Sequence, residues 1–487
     1  MPADSRRARE TGAGGRLTAG WRQRQPPLEV LHRLEYPWTT KVQQAPERRR
    51  SSLRRIRWRQ RAFDEDFQRK PPGRRCALLA GGKGGVLLSP ANPGDTVVLF
   101  PIAGGMEPAR SGRRCHWWWC LLLGLAGCAP AAHRFYPLGI YSVPTTNDLA
   151  VVRAAGFNLV TGPATTAYFD AAQAAGLRVL AAPGTAAGPH FDAARARQRV
   201  AALDRHPACW AWSLCDEPDF NRVPPEQVRQ AGRFLKSLDA RRPTALTLFQ
   251  GYDALDYAGL ADLVLVDRYP IPWLPLANFG QHLRQARLAL GPRKPLIAII
   301  QAFDWRYYAR LLPGETRFRA PTLAELRCMT YCALAERANG LFYYAYDAGG
   351  WRMSEHPATW EALCQVVHEV QARRPLFEAE HLWWARDYAF PERAQAFNAA
   401  LESSVTTAWL RVRHGNAEVP AGHYLLAVNN TDQPRTFRFR LPATPAEGGA
   451  ALPVLGEARV LEARAGWAQD EFAPYAVHVY GPRAAAD

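Results

Sequence analysis

Two adjacent carboxylates close the run Ala208-Cys209-Trp210-Ala211-Trp212-Ser213-Leu214-Cys215-Asp216-Glu217-Pro218-Asp219-Phe220. The apolar part has the texture of a buried strand, and Pro218 stops it. Period-two alternation places Cys209, Ala211, Ser213, Cys215 and Glu217 on one face, and Trp210, Trp212, Leu214 and Asp216 on the other. The first face is small enough for a crowded barrel interior, and the second is bulky enough to pack beneath helices. Glu217 then stands at the C-terminal end of its strand, where parallel barrels keep catalytic groups. Burial and the neighbouring Asp216 would hold its proton to higher pH, which suits a general acid. The competing interpretation is an acidic strand-to-loop turn with no chemistry.

The elements that must position this acid alternate from Phe135 onward. Strands are predicted at Leu138–Val143, Phe157–Val160, Leu177–Ala181, the opening run, Thr244–Leu248, Leu263–Val266, Leu296–Ile300 and Leu341–Tyr346. Helical patterns follow them, with Gly156 and Gly176 as stops and Pro224 in the first turn of the helix to Leu238. Eight such units with short, continuously apolar strands predict an α/β fold, a closed parallel (β/α)8 barrel over residues 134–376. An open doubly wound sheet is the alternative, but the Gly139 region offers no glycine-rich first turn. From about residue 378 to 487 the pattern becomes short alternating stretches, among them His423–Val428, Thr436–Leu441 and Tyr475–Tyr480, which predict a small C-terminal antiparallel β-sandwich.

On a fourth barrel strand, Trp212-Ser213-Leu214-Cys215-Asp216-Glu217-Pro218 resembles the motif of clan-A (β/α)8 glycoside hydrolases, in which Asn-Glu-Pro or a variant supplies the acid/base glutamate. The resemblance implies that Glu217 is the acid/base and that Asp216 takes the place of the asparagine. It also implies a nucleophilic glutamate at the end of strand seven, where this chain has Gln301 in Ile299-Ile300-Gln301-Ala302-Phe303. An amide cannot be that nucleophile, which leaves Gln301 to bond a substrate hydroxyl or acetamido group. Asp267 after strand six, Asp304 past strand seven and Asp347 after strand eight are the stand-ins. Asp267 could equally pair with Arg268 at the rim, and Asp347, ahead of Gly349-Gly350, could be turn chemistry. Tyr141, Tyr269, Trp273, Trp305, Tyr346 and Trp351 fall on or just after strand ends, where aromatic rings stack on pyranose faces.

The formal charge of +17 is concentrated at one end: residues 1–105 hold 21 Lys+Arg and 9 Asp+Glu, a net +12, against +5 for the rest. That distribution argues against nucleic acid as the partner of the folded part. Met106 to Cys128 has a basic start (Arg110, Arg113, Arg114), an apolar stretch from Trp117 to Gly124, and the ending Leu125-Ala126-Gly127-Cys128. This ending resembles the lipobox of bacterial lipoproteins, which implies lipidation of Cys128 and makes residues 1–105 an over-extended start. With no acidic residue next to Ala129-Pro130, the expected location is the outer membrane or cell surface. Gly81-Gly82-Lys83-Gly84-Gly85 lacks phosphate-loop spacing, and the remaining cysteines lie within apolar patterns, as buried thiols do. No cofactor or metal is expected.

The sequence therefore predicts a lipid-anchored envelope hydrolase of an oligo- or polysaccharide. Glu217, Asp267 and Asp347 are its candidate catalytic residues, and Asp216, Gln301, Tyr141, Tyr269, Trp305, Tyr346 and Trp351 its substrate contacts. The rival expectation is a catalytically silent glycan-binding lipoprotein on the same barrel.

Overall fold

The computed structural model describes residues 135–184, 192–382, 388–389, 404–441 and 450–483. The basic tract 1–105, the segment 106–128 and its Cys128 lie outside the described residues.

Eight parallel strands close into a barrel: β1 Leu138–Ile140, β2 Leu159–Thr161, β3 Arg178–Ala181, β4 Cys209–Cys215, β5 Thr244–Leu248, β6 Leu263–Arg268, β7 Leu296–Gln301 and β8 Leu341–Tyr344. Closure is made by β1 pairing with β8, with Gly139 opposite Phe342. Glycine is required there, because a Cβ would lie 2.3 Å from the Phe342 ring. Outward-facing strand residues such as Trp212, Leu214, Val266 and Ile300 join the helices in one apolar core. Trp212 is fully buried, and its indole N–H donates to Asp239 at 2.9 Å, so the ring is desolvated with its polar atom satisfied.

Local chemistry fixes the helices around this barrel. Asp192 caps Ala193–Leu203 by accepting from the Arg195 N–H. Thr322 and Glu325 form a reciprocal capping box at the start of Leu323–Ala335. That helix is buried on almost every side, because the barrel covers one face and the C-terminal region the other.

The C-terminal region is antiparallel. After the two-residue strands β9 Asp347–Ala348 and β10 Trp351–Arg352 come β11 Glu380–His381, β12 Tyr388–Ala389, β13 Val405–Val412 and β14 Gly422–Asn429. The chain closes with β15 Arg435–Arg440, β16 Ala450–Pro453, β17 Val460–Ala463, β18 Trp467–Phe472 and β19 Val477–Arg483. One sheet has the order β11-β13-β14-β19 and a second β12-β15-β18, with β16-β17 beside them. Alternation sorts the four-stranded sheet into two apolar faces. Ala408, Leu410, Tyr424, Leu426, Val428 and Val479 join the barrel core. Val405, Trp409, Leu425, Ala427 and Tyr480 meet Phe437, Phe439 and Phe472 of the second sheet.

Polar contacts fasten the same junction. Glu369 accepts from Arg327 at 2.8 Å, Arg373 at 2.6 Å and the Tyr331 hydroxyl at 2.8 Å. Arg373 also reaches Glu418 at 2.7 Å, and Arg327 donates to the Val477 carbonyl at 3.2 Å. The two arginines hold the Glu369 carboxyl below its ordinary value against the opposing effect of burial. The five cysteines among the described residues are free thiols, with Cys209, Cys328 and Cys332 buried.

Candidate active site

Strand β4 delivers its acids by breaking its own alternation. Its pairing with β5 slips between Ser213 and Cys215, a bulge, and Glu217 adopts φ +42°. A non-glycine residue in that region stores about 1–3 kcal/mol, and such strain concentrates at functional sites. The strain is held by the Glu217 N–H donating to the Thr247 carbonyl at 3.1 Å and by the Asn221 N–H donating to the Glu217 carbonyl at 2.9 Å. The consequence corrects the strict alternation expected from sequence: Asp216 and Glu217 line the same cavity instead of opposite faces.

That cavity, about 810 Å³ at the C-terminal end of the barrel, is large enough for a small-molecule ligand. Asp267, from the end of β6, lines it together with Glu217, and the two carboxyls influence each other's titration. Asp267 is 4% exposed, accepts from the Tyr269 hydroxyl at 3.2 Å, and its Oδ1 receives no N–H or hydroxyl donor. Burial first, then the Glu217 charge, raises the Asp267 carboxyl well above its ordinary value. Burial also lifts Glu217 to about 7, opposed by Asp267 and assisted by the charges of Asp216 and Asp219. The pair therefore retains a proton up to neutral pH.

Asp216 keeps part of its surface open to the cavity, yet the surrounding protein raises its carboxyl while the nearby Thr247 hydroxyl opposes the rise. The Thr247 hydroxyl has one proton. If it donates to Asp216, the Tyr141 hydroxyl, 3.4 Å away, donates to it in turn.

An aromatic wall faces the acids. Tyr269 stacks on Tyr344 at 5.4 Å and meets Phe303 edge-on at 5.2 Å, and Phe303 packs on Trp305 at 5.1 Å. The hydroxyls of Tyr308 and Tyr344 bond each other at 2.9 Å. No lysine, arginine or histidine lines the cavity among the described residues, so the acids there have no counter-charge. Nor, among those residues, is any group of three His, Cys, Asp or Glu arranged to hold a metal ion.

Of the residues singled out in the sequence, Tyr141, Asp216, Glu217, Asp267, Tyr269 and Trp305 come together here. Four others stand elsewhere. Gln301 is fully buried, and its amide is spent on backbone: Oε1 accepts from the Ile271 N–H at 2.9 Å, and Nε2 donates to the carbonyls of Ile271 and Phe303 at 2.9 and 3.2 Å. It braces two loops and has no free group for a ligand. Asp347 sits on the β9–β10 hairpin, 4.0 Å from Arg352, outside the cavity lining. The Tyr346 hydroxyl donates to Asp148 at 3.0 Å, and its ring packs on Trp360. Trp351 is buried against His356 in a stack at 3.8 Å, with its N–H on the Ala345 carbonyl. Of the weaker candidates, Asp304 caps the turn Trp305–Leu311 through the Arg306 N–H, and Trp273 packs behind Trp305.

Sequence reasoning missed Thr247, Tyr344, Tyr308, Phe303, Phe249 and Phe220 as lining residues. Thr247 was within reach, since alternation from Ala245 on β5 points it inward. Tyr344 follows Phe342 and Tyr343, an all-aromatic run that hides the face each residue takes.

The chain matches no protein-family model and no curated protein by sequence. Its structural neighbours are glycoside hydrolases. One is a family 5 glycoside hydrolase from Bacteroides vulgatus, 14% identical with a TM-score of 0.46, the match covering 71% of this chain and 88% of that one. Another is a family 39 glycoside hydrolase from Bacteroides cellulosilyticus, 11% identical with a TM-score of 0.44, covering 72% and 81%. AmyP in complex with maltose is 10% identical with a TM-score of 0.45, covering 72% and 97%. At these values the likeness is one of fold, and no activity is taken from it.

Proposed function

We propose that this protein hydrolyses a glycosidic bond of an oligo- or polysaccharide, with Glu217 as the proton donor. The observation that carries the reading is the grouping of Asp216, Glu217 and Asp267, with no basic side chain among the described lining residues, in one aromatic-walled cavity of a parallel barrel. Glu217 and Asp267 titrate as one pair, with Asp267 a positioning residue whose interaction with Glu217 lowers the pH at which Glu217 gives up its proton. Glu217 gives that proton to the leaving oxygen as the bond to the anomeric carbon breaks. Asp216 stabilises the positive charge that develops and takes a proton from the water that adds to the same carbon. That proton returns through solvent to Glu217, so the balance is one water consumed and two hydroxyl-bearing products formed.

A second reading, a glycan-binding barrel without turnover, is favoured by one observation: the end of β7 carries Gln301, with its amide fully engaged, where a carboxylate nucleophile would be needed. The experiment incubates the full chain and Glu217→Gln with a broad panel of oligo- and polysaccharides and measures new reducing ends. Release by wild type that disappears in Glu217→Gln supports hydrolysis. Sugar binding without release, unchanged in the variant, overturns it.

The location belongs to the same proposal. Residues 106–128 support an envelope lipoprotein anchored through Cys128. Radiolabelled fatty acid incorporated by wild type and not by Cys128→Ser is the expected outcome, and a peptide from residues 1–105 in the membrane-bound protein would count against it.

A further inference from the structure

The cavity has two chemically different halves. The barrel strands and their immediate ends carry every acid and all of its hydroxyls except that of Tyr308. Its mouth is formed by Phe220, Phe249, Leu311, Leu312 and Pro313, whose side chains contain no polar atom. Phe220 is 58% exposed and Leu311 59%, and both belong to the small set of large hydrophobic side chains exposed among the described residues. A single exposed apolar side chain is ordinary, but two lining one cavity mark a contact surface. They arrive from different directions. Phe220 follows β4, and Leu311 follows β7, three strands further round the closed barrel.

The Phe220 side of the mouth is held in place before any ligand arrives. Asp219 accepts from the backbone N–H groups of Phe249 and Gln250 at 3.2 and 2.8 Å, which ties the loop after β4 to the loop after β5. The Phe220 ring thereby rests 5.2 Å from Phe249, whose ring also carries the Arg268 guanidinium at 4.9 Å. Glu217 stands at the boundary between the halves, three residues before Phe220 in the same turn. With a sugar ring among the acids and hydroxyls, the substituent on an oxygen protonated by Glu217 would face the apolar residues.

We propose that the mouth is a leaving-group subsite for an apolar aglycone, an alkyl or aryl group on the glycosidic oxygen. This assignment rests on the hydrolytic reading above. A second sugar ring in that position could stack on Phe220 or Phe249, but its hydroxyls would find no side-chain partner among Phe220, Phe249, Leu311, Leu312 and Pro313 and would have to stay in water. An alkyl chain or aromatic ring loses nothing there and covers exposed apolar surface.

The test is titration calorimetry on the full chain carrying Glu217→Gln, so that ligand is not consumed. The probes are hexyl and methyl glycosides of glucose, galactose, mannose and N-acetylglucosamine, in both anomeric forms. For the sugars that bind, the hexyl form is expected to bind at least about tenfold tighter than the methyl form. Adding Phe220→Ala or Leu311→Ser, each at an exposed position, should cut that preference to less than about threefold, with the melting temperature unchanged. Equal affinities, absence of hexyl-glycoside binding, or a preference that survives both substitutions would overturn the subsite. Hexanol release by the wild-type chain separates the two readings. Preference without release sinks the hydrolase and leaves the subsite, whereas equal release from hexyl and methyl glycosides does the reverse.

Discussion

Replacing Glu217 by glutamine should make the protein more heat-stable in alkaline solution while removing its activity. Burial raises the Glu217 carboxyl from an ordinary value of 4.5 to about 7, with Asp267 opposing and the charges of Asp216 and Asp219 assisting. At about 1.4 kcal/mol per pH unit, ionising it in the folded protein costs about 3 kcal/mol more than in the unfolded chain. The sign follows from the two values. Below pH 4.5 the acid is protonated in both states and nothing is lost. Stability falls as pH rises from 4.5 through 7, and the full deficit stands at pH 8.5. Glutamine is neutral at every pH. With an unfolding entropy of about 2.1 cal/mol/K per residue, 3 kcal/mol corresponds to roughly 4 °C in a domain pair of this size. Calorimetric melts of wild type and Glu217→Gln should therefore differ by about that much at pH 8.5 and converge at pH 4.5. An equal gain at both pH values, or none at pH 8.5, would refute the argument that Glu217 is a desolvated acid.

Other outcomes follow from the same geometry. Hydrolysis limited by proton donation should decline as pH rises through about 7; Asp216→Asn, which removes the group that takes the proton from water, should leave only a residual rate, whose decline moves to lower pH because a charge that raises Glu217 is gone. A pH–rate profile checks this. Glu369→Ala leaves Arg327 and Arg373 without their shared partner and should destabilise the protein by about 3–5 kcal/mol, read by urea denaturation. Gly251→Ala would set a Cβ 1.8 Å from the His282 carbonyl oxygen, and a cost of at least about 3 kcal/mol is expected in the same assay. A near-normal midpoint there would mean that the loop after β5 can move away.

What could be read in advance follows the range of the forces involved. Strand β5 starts and stops where its apolar run does, because a strand buried on both faces displays its limits in its own residues. The interior position of Asp267, one alternation beyond Leu265, was legible for the same reason. The second acid was misplaced because a bulge at Ser213–Cys215 and a positive φ at Glu217 depend on β5, which no local pattern displays. The sequence puts Asp347, Tyr346 and Trp351 at the rim because they follow β8. The chain instead folds back into the β9–β10 hairpin, and Trp351 finds its partner in His356. Gln301 has the right place in sequence, but the backbone of Ile271, thirty residues earlier, occupies its amide.

The double coverage of the four-stranded sheet also has a consequence for synthesis. Helix Leu323–Ala335 leaves the ribosome 94 residues before β14 ends at Asn429, and β14 is one of the strands that cover it. At about 5–20 residues per second, the barrel's seventh helix waits roughly 5–20 s with one apolar side open to solvent. The barrel therefore cannot finish folding during translation and then acquire an appendage. The nascent chain has an interval of vulnerability that ends when the last strands dock, and a stall or cut between Phe377 and Val405 would leave a sticky barrel in place of a smaller stable one.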